Sequence, residues 1–141
     1  LGLVHKNVTT IDTSGLKGTQ GVDARNSLSA VTITAGGSDT FTAVTGEWDD
    51  TFIIGKTANI AHNITGGLGT DTATVTTNTG FVNPSLIGVE KLTLDLTPGT
   101  GTTINAAFNN ATTEVSITGG NSLSIFDNED NAVAAFDGRI T

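Results

Sequence analysis

Apolar and polar residues alternate with a period of two along much of this 141-residue chain, in short stretches separated by turn-forming residues. Alternation of this kind places successive side chains on opposite faces of an extended backbone, which predicts half-buried β-strands. The predicted strands lie at residues 31–34, 40–43, 51–54, 60–64, 72–75, 92–96, 103–108, 115–117, 123–125 and 133–136. Helices are expected to be few and short, with Asp130–Phe136 as the best candidate.

Glycine-containing turns separate the strands of the first half at nearly regular intervals. Gly37, Gly46, Gly55 and Gly66 follow one another at nearly equal steps, the last step being slightly longer than the first two. One turn plus one short strand cannot bury its own apolar side chains, whereas stacked units share a continuous core. The spacing therefore predicts an all-β fold, a parallel β-roll or β-helix solenoid. A β-sandwich, whose short strands also recur every 8–12 residues or so, is the alternative.

The chain is expected to be a single solenoid segment, residues 1–141, of a larger protein. Its length fits one domain. Within it, residues 1–80 are expected to form Gly- and Asp-rich coils. Residues 81–141 keep a similar rhythm with less glycine, which indicates less regular β-helical coils.

The charge and the missing residue types narrow the classes of partner and of chemistry. The chain carries 14 acidic and 6 basic residues, a net charge of −8, so that a nucleic acid or an anionic membrane would repel it. Without cysteine it has no disulfide framework, no Cys-based zinc site and no thiol nucleophile. It also lacks the long apolar run of a membrane span, so no membrane insertion is expected.

Residues 66–74 match the calcium β-roll nonapeptide G-G-x-G-x-D-x-U-x at every fixed position, with Ala73 as the apolar residue. Calcium takes about 6–8 oxygen ligands, and glycines allow a turn in which backbone carbonyls point inward. An aspartate then supplies negative charge. The motif therefore predicts a calcium site in which Asp71 is the charged ligand.

Two further turns repeat parts of this motif. Residues 45–53 keep Gly46, Asp50 and Phe52 in the same frame, and residues 36–41 are a shortened copy that contains Asp39. The step from Asp50 to Asp71 is longer than the ideal coil of two nonapeptides, about 18 residues, so the extra residues are expected to bulge near 56–63. The alternative is that such aspartates merely cap their own turns. The predicted metal-binding residues are Gly46, Asp49, Asp50, Gly66, Gly67, Gly69, Asp71 and Asp39.

Residues 11–18, 22–24, 31–41 and 88–94 resemble the repeats of bacterial surface-layer proteins and RTX-type secreted proteins. The last of these opens with Gly88-Val89-Glu90, which resembles the phrase that begins a coil in such chains. The resemblance implies an extracellular, calcium-dependent β-roll at the bacterial cell surface, in a lattice, an adhesin stalk or the carrier portion of a secreted toxin or protease. It implies calcium positions at Gly66, Gly67, Gly69 and Asp71, and at Gly46 and Asp50, where Trp48 replaces a glycine.

No residue pattern indicates catalysis, so no enzyme activity is expected. His5 and His62 lack metal or triad spacing, and the carboxylates of Glu47, Asp49 and Asp50 lie in a repeat turn. The function expected from the resemblance is a calcium-stabilised structural module of a cell-surface layer that assembles with copies of itself or with neighbouring repeats. The alternatives are an adhesin or carbohydrate-binding RTX module, with a cell-surface polysaccharide as partner, and a carrier domain of a secreted enzyme or toxin.

Overall fold

The computed structural model describes residues 2–3, 5–16, 18–35, 40–55, 62–76, 85–95, 103–104, 107–108, 112–118, 124–125 and 139–140. These residues form fifteen short strands: β1 Gly2–Leu3, β2 Thr10–Asp12, β3 Thr19–Asp23, β4 Thr32–Ala35, β5 Thr40–Val44, β6 Thr51–Ile54, β7 His62–Thr65, β8 Thr72–Thr76, β9 Ser85–Ile87, β10 Lys91–Asp95, β11 Thr103–Ile104, β12 Ala107–Phe108, β13 Glu114–Thr118, β14 Ser124–Ile125 and β15 Arg139–Ile140. No helix is found among the described residues, and hence none that could span a membrane.

From β1 to β10 the strands alternate between two parallel sheets as the chain advances. One sheet has six strands in the order β1-β3-β5-β7-β9-β12, and the other has seven in the order β15-β13-β10-β8-β6-β4-β2. A third, two-stranded sheet pairs β11 with β14, also in parallel. From β1 to β10 each coil thus gives one strand to each main sheet and stacks on the coil before it. The predicted parallel β-solenoid is confirmed.

Strand register gives the length of each coil. Thr51 pairs with Thr72, and Phe41 pairs with His62, so the two sheets advance by equal steps at these coils. The step from Thr32 to its partner Thr51 is shorter, and the step from Glu114 to its partner Arg139 is longer. Every described coil is longer than the ideal of two nonapeptides, about 18 residues.

The core lies between the two main sheets. In β4, β5, β6 and β8 every second side chain is buried, as the period-two pattern requires. Along the seven-stranded sheet, Ile33, Phe52, Ala73, Leu92 and Val115 stack in register. Large and small side chains alternate at Phe52 and Ala73, which lets neighbouring coils fill the interior at the fixed spacing between strands.

The predicted strands of the first half agree with β4 to β8 to within two residues at each end. The strand expected at 133–136 and the helix candidate Asp130–Phe136 lie outside the described residues. So do residues 56–61, where most of the extra residues of one coil were expected to bulge.

Candidate functional site at an acidic corner

One corner of the solenoid collects most of the acidic residues that the sequence singles out. The corner consists of the segments that lead from the six-stranded to the seven-stranded sheet: residues 24–31, 45–50, 66–71 and 88–90. The turn at 45–50 lies directly against the turn at 66–71, where the N–H of Leu68 donates to the Gly46 carbonyl. We call this edge of the molecule the acidic corner.

Three carboxylates on successive coils of the acidic corner bind backbone N–H groups of the coil before. The N–H of Val31 donates to Oδ1 of Asp50, and the N–H of Asp50 donates to Oδ1 of Asp71, each at 2.7 Å. The N–H of Asp71 donates in turn to Oε2 of Glu90, also at 2.7 Å. We call Asp50, Asp71 and Glu90 the carboxylate column.

The backbone geometry of the corner explains why carboxylates are needed there. The carbonyls of Val31, Asp50 and Asp71 already accept backbone N–H groups from the next coil, those of Thr51, Thr72 and Lys91. The N–H groups of Val31, Asp50 and Asp71 themselves donate to carboxylate side chains instead of backbone carbonyls. Because an unpaired buried N–H costs roughly 1–3 kcal/mol, a carboxylate that accepts it stabilises the stack.

Asp71 is the most enclosed member of the column. Its side chain is 0% exposed, and its Oδ2 has no hydrogen-bond partner. Burial is the largest of the causes that raise the pKa of Asp71 to about 7, and the charges of Asp50, Glu90 and Asp49 act in the same direction. The hydrogen bond from the Asp50 N–H acts against them. The column therefore contains one carboxyl group that keeps its proton to a higher pH than an ordinary aspartate does.

The glycines of the nonapeptide are required by contact between coils. A Cβ added at Gly66 would collide with the Asp71 carboxylate and with the Gly88 carbonyl. Gly67 has a φ of 101°, a conformation that residues with a side chain rarely adopt, and a Cβ there would meet the Gly46 carbonyl. Both glycines permit close stacking at the corner.

The described carboxylates of the predicted calcium site bind backbone N–H groups in the structure. Asp49 is exposed, and its Oδ1 accepts the Thr70 N–H at 2.8 Å. Asp50 and Asp71 each use one oxygen on a backbone N–H, and the second oxygen of Asp71 is fully buried without a hydrogen-bond partner. No three acidic or histidine side chains of the described residues converge as metal ligands. Asp39 lies outside the described residues, and calcium binding stays a prediction.

Glu90 is the member of the column that the sequence did not assign to the site. Its corner segment, Gly88-Val89-Glu90, is only half as long as the segment at 66–71. Fewer residues therefore separate Glu90 from Asp71 than separate Asp71 from Asp50. A search at the spacing of the two aspartates does not find Glu90. The signal that could have found it is the acidic residue just before β10, the place that Asp50 and Asp71 occupy before β6 and β8.

Threonine hydroxyls add a second set of contacts between coils. Oγ1 of Thr45 donates to the Gly66 carbonyl at 2.6 Å, and Oγ1 of Thr112 donates to the Val89 carbonyl at 2.8 Å. Both threonines are buried. The corner is therefore held by side chains that reach across to the backbone of a neighbouring coil.

The features that would indicate an enzyme or a sugar-binding face are dispersed in the described residues. The cluster of Glu47, Asp49 and Asp50 is divided, because Asp50 is 2% exposed and belongs to the column while Asp49 binds Thr70. Trp48 is 47% exposed and is the one aromatic among the large exposed apolar side chains described, the others being Leu16, Leu28, Ile53, Leu68 and Ile87. Such a set makes no aromatic strip. The side chain of His62 lies outside the description.

Comparison with known proteins adds no family to these observations: no protein-family model, curated protein or solved structure matches this chain.

Proposed function

We propose that this chain is a structural segment of a bacterial cell-surface protein, a rigid stack of coils that contributes to a surface lattice by associating with further copies or with neighbouring repeats. The observation that carries the proposal is the parallel stack of coils in the described part of the chain. Each strand pairs with the equivalent strand of the next coil, so that the fold can be extended at either end without a change of design. The bacterial surface location rests on the resemblance of the repeats described above.

The ends of the described sheets supply the surfaces for association. In the described part of the chain, β2 and β15 are the outer strands of the seven-stranded sheet. The N–H of Thr32 donates to the Thr9 carbonyl and the N–H of Thr13 donates to the Thr34 carbonyl. Since successive residues of a strand direct their polar backbone groups to opposite sides, Thr10 directs its N–H and carbonyl away from β4. An outer strand of this kind is a template for a strand of another chain.

The test is sedimentation velocity over a range of protein concentrations. The chain is expected to form head-to-tail oligomers whose size grows with concentration, because unlike ends that meet along the axis of the stack add copies without closing a ring. Thr10→Pro removes the outward N–H without loss of a hydrogen bond to β4 and is expected to weaken this association. Thr10→Val, which keeps the N–H, is the matched control.

A chain that remains monomeric at every concentration would contradict the lattice proposal. It would favour a stalk or carrier segment that serves only as a spacer within one polypeptide. Equal association of Thr10→Pro and Thr10→Val would show that the outer edge of β2 is not the contact.

A further inference from the structure

The carboxylate column lies where the nonapeptide motif would place the charged ligands of a calcium ion. In the structure these oxygens face hydrogen-bond donors instead. The N–H groups of Val31, Asp50 and Asp71 each donate to a carboxylate oxygen. The nitrogen-to-oxygen distance is 2.7 Å in all three, which is typical of a short, charge-assisted hydrogen bond. A cation at the same oxygens would have to share them with the positive ends of these N–H dipoles.

The three acidic residues of the column occupy equivalent positions in successive coils. One acidic residue stands just before β6, one before β8 and one before β10, and each reaches back by a single coil. The side chain adapts to its corner: the longer segments at 45–50 and 66–71 use aspartate, and the shorter segment at 88–90 uses the longer glutamate. All three therefore perform the same task for the backbone of the coil before.

We infer that Asp50, Asp71 and Glu90 lock the stacked coils by accepting backbone N–H groups, so that this corner closes fully without a metal ion. The lock does not depend on whether the chain assembles into a lattice. Its essential element is an acceptor oxygen at each position of the column, and negative charge is dispensable where the side chain is most buried.

Asp71 distinguishes the lock from a calcium site. Its Oδ1 accepts the Asp50 N–H, while its Oδ2 lies without a partner on the face of Gly66 that the Gly88 carbonyl also contacts. Asparagine at this position keeps an acceptor for Asp50 and replaces the unpartnered oxygen with a donor. The lock therefore tolerates asparagine at 71, whereas a calcium site would lose its charged ligand.

The experiment compares melting temperatures of the 141-residue chain at about pH 8, in chelator and in millimolar calcium. Asp71→Asn is expected to melt at least as high as the parent chain in chelator, by up to about 5 °C, because asparagine places no charge at this buried position. Asp71→Ala, which leaves the Asp50 N–H without an acceptor, is expected to melt lower than both. Glu47→Gln, which removes an exposed carboxylate of the same corner that lies outside the column and the predicted ligand set, serves as the matched control and is expected to change little.

Calcium is expected to leave all four proteins within the shift that magnesium produces. The lock would be overturned if calcium, and not magnesium, raised the melting temperature of the parent chain by several degrees and Asp71→Asn abolished that increase. It would also be overturned if Asp71→Asn melted as low as Asp71→Ala in chelator. Because Asp71→Asn is read against the alanine variant in metal-free buffer, the result does not depend on how tightly an ion binds.

Discussion

Replacing Phe52 with alanine is expected to lower the free energy of unfolding by about 3–5 kcal/mol, the usual cost of deleting a buried aromatic ring. Phe52 is 0% exposed and stacks in register between Ile33 and Ala73. Its neighbours are held at the fixed spacing of parallel strands and have little freedom to collapse into the space left behind. A loss of this size is a large fraction of the roughly 5–15 kcal/mol that stabilises a typical domain.

Urea denaturation measures the loss, and the adjacent residue is the control. Ile53 lies in the same strand with its side chain on the outer face, 39% exposed. Ile53→Ala is therefore expected to cost less than about 1 kcal/mol. Similar losses at both positions would mean that the two faces of β6 are assigned wrongly, as a register slip by one residue would do.

Raising the pH from about 5 to about 8 is expected to lower the free energy of unfolding by about 2–4 kcal/mol, because the pKa of Asp71 differs between the folded and unfolded states. Burial, together with the charges of Asp50, Glu90 and Asp49, raises the pKa of Asp71 from 3.8 to about 7 in the folded protein. Between these values the folded protein holds a proton that the unfolded chain has released. The contribution of Asp71 to stability is therefore complete below about pH 4 and is lost as the pH rises through about 7.

Denaturation curves at several pH values test this dependence, with Asp71→Asn as the control. The variant has no proton to lose at this position and is expected to show a much flatter profile between about pH 5 and 8. Asp23 acts in the opposite sense at lower pH. The hydrogen bond from Arg25 lowers the pKa of Asp23, so its contribution is lost as the solution becomes acidic, below about pH 4. A parent chain whose stability rises from pH 5 to 8 would contradict the buried position of Asp71.

The fold could be predicted because its causes are local and periodic. Alternation in segments such as Thr72–Thr76 specifies a strand with one buried face, and regularly spaced turn glycines specify that the strands stack. The length of the coils could not be predicted in the same way. It depends on how many residues each corner contains, and the corner at 88–90 is shorter than the corner at 66–71 without a change in the flanking strand pattern.

The sequence singled out the aspartates of the candidate site, but not the partners of their carboxylates. The match of residues 66–74 to a known motif drew attention to Asp71, whose Oδ1 accepts the N–H of Asp50 in the structure. A motif names residue types, whereas the partner of each carboxylate lies a full coil away along the chain. The motif does not include Glu90, because the corner segment of Glu90 is shorter and places it outside the spacing of the two aspartates.

Amide hydrogen exchange of the corner residues in metal-free buffer tests the central claim most directly. The amides of Val31, Asp50 and Asp71 are expected to exchange as slowly as the amides of the core strands β6 and β8, because their hydrogen bonds to the carboxylate column open only when the coils separate. The exposed corner residue Trp48 is the reference for fast exchange. Exchange of the three amides as fast as that of Trp48, or protection that appears only when calcium is added, would contradict a corner locked by carboxylates.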